Sequence, residues 1–364
     1  MKISVVVGTR PEIIKMSPII RECERLQLDY FILHTGQHYS YNMDRVFFEQ
    51  LELPEPRYNL DVGSGSHAEQ TGTILMGVEK VLLQEKPDVV LVEGDTNTVL
   101  AGALAATKLH IDVGHVEAGL RSYDRSMPEE INRILTDHCS DFLFAPTIKS
   151  KETLLKEGIS DNKIFITGNT IVDAVFQNLE LSKKKINILD KFGLKKNQFF
   201  LVTTHRQENV DDQNRFNGIL QGLKQINKEY NIPIVYPIHP HSSKKLQEFD
   251  LVYDGIQLIE PLDFLGFLQL EQNAKIVLTD SGGVQEETCI LGTPCVTLRD
   301  NTERTETIDV GSNILAGTDP DKIMNSVSRM FQYKKKWDNP FGNGHSGQKI
   351  VKLLEDYYEK KSGK

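Results

Sequence analysis

Short apolar runs alternate with helix-period stretches along almost the whole chain, and that alternation limits the folds open to it. In the first half the runs are Ile3–Val7, Tyr30–Leu33, Asp88–Val92, Val113–Val116, Phe142–Ala145 and Ile164–Ile166. Helical patterns near 11–27, 68–86, 96–109, 128–139 and 149–157 lie between them. In the second half the runs are Phe199–Thr203, Ile234–Pro237, Ile256–Ile259, Ile276–Leu278 and Cys295–Thr297, separated by patterns near 212–229, 242–248, 262–273, 283–291 and 319–332. Continuous rather than alternating apolar character marks strands buried on both faces, as in parallel sheets. The expected fold class is therefore α/β, with two Rossmann-like doubly wound domains facing a central cleft.

At 364 residues the chain exceeds one ordinary core, so two domains are expected, 1–172 and 173–345. The charged, weakly periodic stretch from Ser182 to Asn197 reads as the region of the join. The amphipathic C-terminal segment, about 346–364, is expected to pack back on the first domain. A net charge of −9 argues against non-specific nucleic-acid or membrane-surface partners, so any phosphate site must be local. No segment approaches a membrane span, and the N-terminus has no apolar stretch long enough for a signal peptide. Cys23, Cys139, Cys289 and Cys295 show neither CxxC spacing nor a disulfide framework. These features suit the cytoplasm, and no metal site is expected.

Ligands of doubly wound sheets bind outside the carboxyl ends of the strands. The segment Thr279-Asp280-Ser281-Gly282-Gly283-Val284-Gln285-Glu286-Glu287 carries the run Ile276–Leu278 into a helix. Unpaired N–H groups and the positive end of the helix dipole suit a diphosphate there, although an ordinary strand-to-helix turn reads the same way. In the first half, Arg10 follows the first strand and Lys15 lies about one turn further on, both candidates to face an anion. Asp95 follows the third run, as a helix cap or a catalytic group. Glu117 follows the fourth, and Glu129 opens the next helix with Arg133 at i+4, which could be only a helix ion pair. Carboxylates that share a cleft push their pKa values apart, as acid and base roles need. In the second half His205 follows Phe199–Thr203, His239 and His241 follow the next run, and Arg304 adds a cation near Ser281–Gly283. No GxGxxG is present, so no dinucleotide cofactor is expected.

The ordered set of motifs resembles the non-hydrolysing UDP-N-acetylglucosamine 2-epimerases. The matching residues are Gly8-Thr9-Arg10-Pro11-Glu12 with Lys15, Gly94-Asp95-Thr96, Gly114 to Arg121, Pro128-Glu129-Glu130 with Asn132-Arg133, and Thr167 to Thr170 with Asp173. In the second half they are His205-Arg206 with Glu208-Asn209, Pro261-Leu262 with Phe267, Thr279 to Glu287, and Thr302-Glu303-Arg304. The resemblance implies GT-B architecture and interconversion of UDP-GlcNAc and UDP-ManNAc, without a cofactor, in a homodimer. It implies that Ser281, Gly282 and Gly283 hold the diphosphate and Glu287 the ribose. Leu262 and Phe267 would flank uracil, and Arg10, Lys15, His205 and Arg304 would contact the nucleotide sugar or its phosphates. Asp95, Glu117 and Glu129 would be the acid/base carboxylates, with Arg133 orienting one of them. His205 stands beside these three as a further catalytic candidate.

Two departures bear on regulation. Many bacterial members carry His-Arg-Arg-Glu where this chain has His205-Arg206-Gln207-Glu208, and Gln-His-Arg where it has Gln37-His38-Tyr39. Both places adjoin an activating substrate site in those enzymes, so activation is expected to be weak or absent. The competing readings are a hydrolysing 2-epimerase, a GT-B glycosyltransferase and a non-catalytic UDP-sugar sensor.

Overall fold

The computed structural model describes residues 1–37, 41–333 and 336–363, with the side chains of 41–44 left undescribed. Its chain divides into two compact units, Met1–Gln177 with Phe341–Lys364, and Asn178–Pro340. In the first unit seven parallel strands lie in the order β3-β2-β1-β4-β5-β6-β7. They are β1 (Lys2–Val7), β2 (Asp29–His34), β3 (Tyr58–Asn59), β4 (Val89–Glu93), β5 (Asp112–Val116), β6 (Phe142–Ala145) and β7 (Ile164–Ile166). The second unit has six, in the order β10-β9-β8-β11-β12-β13. These are β8 (Phe200–Thr203), β9 (Ile234–Pro237), β10 (Ile256–Ile259), β11 (Ile276–Thr279), β12 (Cys295–Thr297) and β13 (Asn313–Leu315).

Both orders are doubly wound: the chain builds outward from β1 or β8 to one side, then returns to build the other. The direction reverses between β1 and β4, and between β8 and β11. At such a switch point the flanking loops diverge and leave a crevice at the strand carboxyl ends. The register explains the continuous apolar runs. Phe200 and Val202 pack to one face of the second sheet, against Phe216 and Ile219 of the helix Gln213–Tyr230 and Ile323 and Val327 of Pro320–Gln332. Phe199 and Leu201 pack to the other, with Leu270, Val277 and Val284. Each fully buried side chain of this size stabilises the fold by about 1.5–3 kcal/mol relative to exposure.

Several elements escape the sequence patterns. The strands β3 and β13 hold two and three residues, too few for a period to register. The helix Tyr41–Gln50 was not read from the sequence. The helix Thr170–Lys185 reaches only the start of the charged stretch Ser182 to Asn197, and its last turn holds the lysine run. The C-terminal helix Ser346–Lys361 belongs to the first unit, where Gly347 lies against Pro18 of the helix Arg10–Leu26. A Cβ on Gly347 would stand 3.0 Å from the Pro18 carbonyl carbon, so the glycine permits this approach.

Among the described residues no helix is long and apolar enough to cross a membrane, and all four cysteines are free thiols. Gly114 in β5 tests how tightly the first sheet is packed. A Cβ there would stand 2.6 Å from Leu91 Cδ2 and 3.0 Å from Phe144 Cε2, both on fully buried side chains. Gly114→Ala is expected to lower stability by about 1–3 kcal/mol, read from urea denaturation. An unchanged midpoint would mean that Leu91 and Phe144 can step aside.

Candidate active site

The first unit gathers carboxylates at its switch point. Glu12 lies in the first turn of the helix that follows β1 and is buried. It accepts the Gly8 N–H and the Thr96 hydroxyl, each at 2.6 Å. Those donors are neutral, so burial wins, and the Glu12 carboxyl is pushed up to about 7. Lys15, one turn on, has its side chain only 13% exposed and places Nζ 2.5 Å from Glu117 Oε2 and 3.3 Å from Glu93 Oε1. Sequence alone allowed a solvated lysine or an anion ligand; in the fold Lys15 meets two carboxylates. Glu93 ends β4 and is 2% exposed. Its burial, with Glu117, Glu12 and Asp95 nearby, raises its carboxyl well above the usual range, against the pull of Lys15.

Glu117 follows β5 and takes a left-handed conformation, φ 69, that glycine adopts far more readily. Several contacts hold the turn there. Asn169 Nδ2 donates to Glu117 Oε2 at 3.2 Å. Gly119, φ 83, has no room for a Cβ, which would meet the Ser150 carbonyl oxygen at 2.5 Å. Beneath the turn Asp137 accepts the Gly119 N–H at 3.2 Å, lies 2.7 Å from Arg121 Nη2, and bonds His115 Nδ1 at 2.6 Å. The other ring nitrogen of His115 meets the Gly94 carbonyl at 2.8 Å. One buried network thus ties the Asp95 loop to the Glu117 turn.

Asp95 is paired with Arg133, which also holds Glu130 at 3.0 Å. The i, i+4 pair of Glu129 and Arg133 considered from the sequence is not formed; Arg133 turns to Glu130 and Asp95 instead. Glu130 is buried and accepts the N–H groups of Ser122 and Tyr123 at 2.8 and 3.0 Å. Burial alone would raise its carboxyl, but these donors and Arg133 hold it below the usual range. Glu129, on the same first turn, is partly exposed. Arg10 lies over the Phe47 ring, 5.9 Å from its centroid.

In the second unit Asp280 organises the switch point. It is fully buried and accepts the Thr204 hydroxyl at 2.6 Å, and the His205 N–H, the Arg206 N–H and Asn209 Nδ2 at 3.1 Å each. His205 is left half-exposed above it, with Nδ1 3.4 Å from Asp280 Oδ1. His239 is held below its ordinary value by burial and by the His205 and His241 charges, so the three imidazoles gather at the ends of β8 and β9. Among the described residues no three metal-ligating side chains are placed to hold an ion.

Ser281 caps the helix Gly282–Leu291 in extended conformation, with its N–H on Thr279 Oγ1 at 2.9 Å. Gly282 and Gly283 form the first turn, whose N–H groups have no acceptor within the helix. A Cβ on Gly283 would meet only Ser281 Oγ, at 3.9 Å, so the backbone here is open to approach. Arg304 Nε is 4.0 Å from the position a Gly282 Cβ would take and 3.0 Å from Glu286 Oε1. Glu287 is buried beside Glu271, whose carboxyl is raised, first by burial and then by the Glu287 charge. Leu262 and Phe267 pack partly buried on the apolar cluster that includes Leu201 and Val284.

A sequence profile described as UDP-N-acetylglucosamine 2-epimerase matches residues 21–355. The chain belongs to the UDP-N-acetylglucosamine 2-epimerase family. A relative from Methanocaldococcus jannaschii, named UDP-N-acetylglucosamine 2-epimerase, is 58% identical over 97% of this chain and 99% of its own. A crystal structure of the Methanocaldococcus jannaschii UDP-GlcNAc 2-epimerase in complex with UDP-GlcNAc and UDP is similar, with TM-score 0.86 and 57% identity over 98% of this chain and 99% of that one. The Neisseria meningitidis UDP-GlcNAc 2-epimerase bound to UDP-GlcNAc superposes with TM-score 0.87 at 36% identity, covering 98% of this chain and 100% of that one. The fold is α/β, of the GT-B type of this family.

The fold brings together the sequence candidates Lys15, Asp95, Glu117 and Arg133, and sets beside them Glu12 and Glu93, which sequence reasoning did not single out. A signal was there for Glu93: it ends the apolar run of β4, and a carboxylate in a doubly covered strand is costly unless neutral or paired. Gln37, one of the residues at the departures from the bacterial pattern, is buried and accepts the Thr98 N–H at 3.0 Å. His38 and Tyr39 lie outside the described residues.

Glu12 gives a testable pH dependence. Below its ordinary value of 4.5 the carboxyl is protonated whether the chain is folded or not. Between 4.5 and about 7 only the folded protein holds the proton, so this contribution to stability falls as pH rises through that window. The loss is on the order of 3 kcal/mol. Glu12→Gln, whose amide can donate to Thr96 and accept from Gly8, mimics the neutral form. The melting temperature of Glu12→Gln minus that of wild type is expected to grow from pH 4.5 to pH 7.5. A difference independent of pH would show that Glu12 does not titrate there.

Proposed function

We propose that this protein epimerises UDP-GlcNAc at C2 to UDP-ManNAc, reversibly, by elimination and re-addition of UDP. The observation that carries the reading is the switch point of the first unit, where Glu117 is held by Lys15 and Asp95 by Arg133. Family membership supplies the substrate class. The proton at sugar C2 has no adjacent carbonyl to stabilise a carbanion, so direct abstraction is unfavourable. Breaking the C1–O bond as C2 loses its proton gives 2-acetamidoglucal and UDP; adding UDP back with a proton on the opposite face gives the epimer. This needs a base, an acid and a grip on UDP, and no redox cofactor. Asp95, Glu117 and Glu129 are the acid/base candidates, with His205 beside them. Ser281, Gly282, Gly283 and Arg304 hold the diphosphate, Glu287 the ribose, Leu262 and Phe267 the uracil, and Arg10 and Lys15 complete the polar contacts. A cytoplasmic homodimer supplying UDP-ManNAc for glycan synthesis belongs to the same reading.

Incubation with UDP-GlcNAc in D₂O, followed by NMR, tests it. Deuterium at C2 with UDP-ManNAc appearing is expected. UDP with free ManNAc would establish hydrolysis, and no change without an added acceptor would favour a transferase or a sensor. Asp95→Asn, Glu117→Gln and Glu129→Gln are each expected to lose about 100- to 10,000-fold in rate with folding intact. Near-normal turnover would remove that residue from the list.

On regulation, Gln207 and Tyr39 at the arginine positions of many bacterial members support a hyperbolic dependence of rate on UDP-GlcNAc. A hyperbolic curve, with UDP-ManNAc alone turned over, is the expected result. A sigmoidal curve, with UDP-ManNAc alone inert, would establish activation.

A further inference from the structure

Four carboxylates, Glu12, Glu93, Asp95 and Glu117, gather at the carboxyl ends of β1, β4 and β5. Among the described residues, ion pairs join three of them to Lys15 and Arg133. Arg133 serves Asp95 and Glu130. Lys15 stands between Glu93 and Glu117, 0.8 Å closer to Glu117 by the difference of 3.3 and 2.5 Å. Glu117 also receives Asn169 Nδ2. The donors therefore favour a charge on Glu117. A second charge on Glu93, with Glu12, Asp95 and Glu117 all facing it, would be a buried ion without its own counter-ion, which costs several kcal/mol.

We propose that Glu93 is a positioning residue for the epimerisation: from behind Lys15 it seats the ammonium against Glu117. This rests on the epimerase reading above. A neutral carboxyl can still accept a Lys15 N–H through its carbonyl oxygen. Glu117 is then kept ionised and in place, able to take a proton. The groups that face Glu93 are Lys15 and Glu12 from the helix after β1, Asp95 from its own loop and Glu117 from β5. Burial and the three carboxylates raise the Glu93 carboxyl, while Lys15 opposes them. At high pH Glu93 ionises and draws Lys15 away from Glu117, so activity falls.

The test is the pH dependence of kcat and KM for UDP-GlcNAc in wild type, Glu93→Gln and Glu93→Ala, each checked for folding by circular dichroism. Glu93→Ala removes the seat. Its kcat is expected to fall about 10- to 100-fold with KM changed less than about threefold. Its acid limb is expected to move to higher pH, because Lys15 is no longer seated against Glu117. Glu93→Gln keeps an acceptor for Lys15 and cannot ionise. It is expected to exceed Glu93→Ala in kcat about tenfold and to shift the alkaline limb to higher pH. Superimposable pH profiles in the variants would overturn the proposal. So would a Glu93→Gln enzyme as slow as Glu93→Ala, since the charge would then be what matters. If Glu93→Ala does not fold, the alkaline limb of Glu93→Gln alone decides. A wild-type enzyme that makes no UDP-ManNAc would instead refute the epimerase reading itself.

Discussion

A parallel sheet covered on both faces leaves polar chemistry only at the ends of its strands. Every backbone group along β1, β4 and β5, or β8 and β11, is committed to its neighbours, and both faces are lined with apolar side chains. Where the winding reverses, loops from adjacent strands part and can hold groups the interior would reject. In each unit the polar residues that follow the first and fourth strands stand at that point: Glu12 and Asp95 in one, His205 and Ser281 in the other.

The two units use this position for different ends. The first concentrates carboxylates around two cations. Burial raises Glu12 and Glu93, while Lys15 lies nearer Glu117 than Glu93 and Arg133 pairs with Asp95 and Glu130. The second presents a helix N-terminus opened by two glycines, with the Glu303 carboxylate and Arg304 beside Gly282. On the proposed function the first would move protons and the second would hold the departing UDP.

Much of this was legible in the sequence because buried parallel strands write continuous apolar runs, and each run names the residue that leaves its end. Asp95, Glu117, His205 and Ser281 were found in that way. Edge strands such as Tyr58–Asn59 leave no such mark. Glu12 escaped because a glutamate in the first turn of a helix is ordinary on a surface, and only the tertiary packing of Gly8 and Thr96 shows it buried. The partner choice of Arg133 was equally hidden: spacing allows Glu129 or Glu130, and the three-dimensional position of Asp95 selects Glu130. That Lys15 meets both Glu93 and Glu117 depends on where one lysine rests, which no local pattern encodes.

Asp280 has a mechanical consequence. Its single carboxylate joins the backbone after β8 to the backbone after β11, because it receives two consecutive amides and a hydroxyl from the former while anchored in the latter. The imidazole of His205 and the open amides of Gly282 and Gly283 are therefore mounted on one rigid bracket. Whatever occupies the helix N-terminus and whatever touches His205 are sensed by the same fixed frame, and neither segment can yield to a ligand without carrying the other.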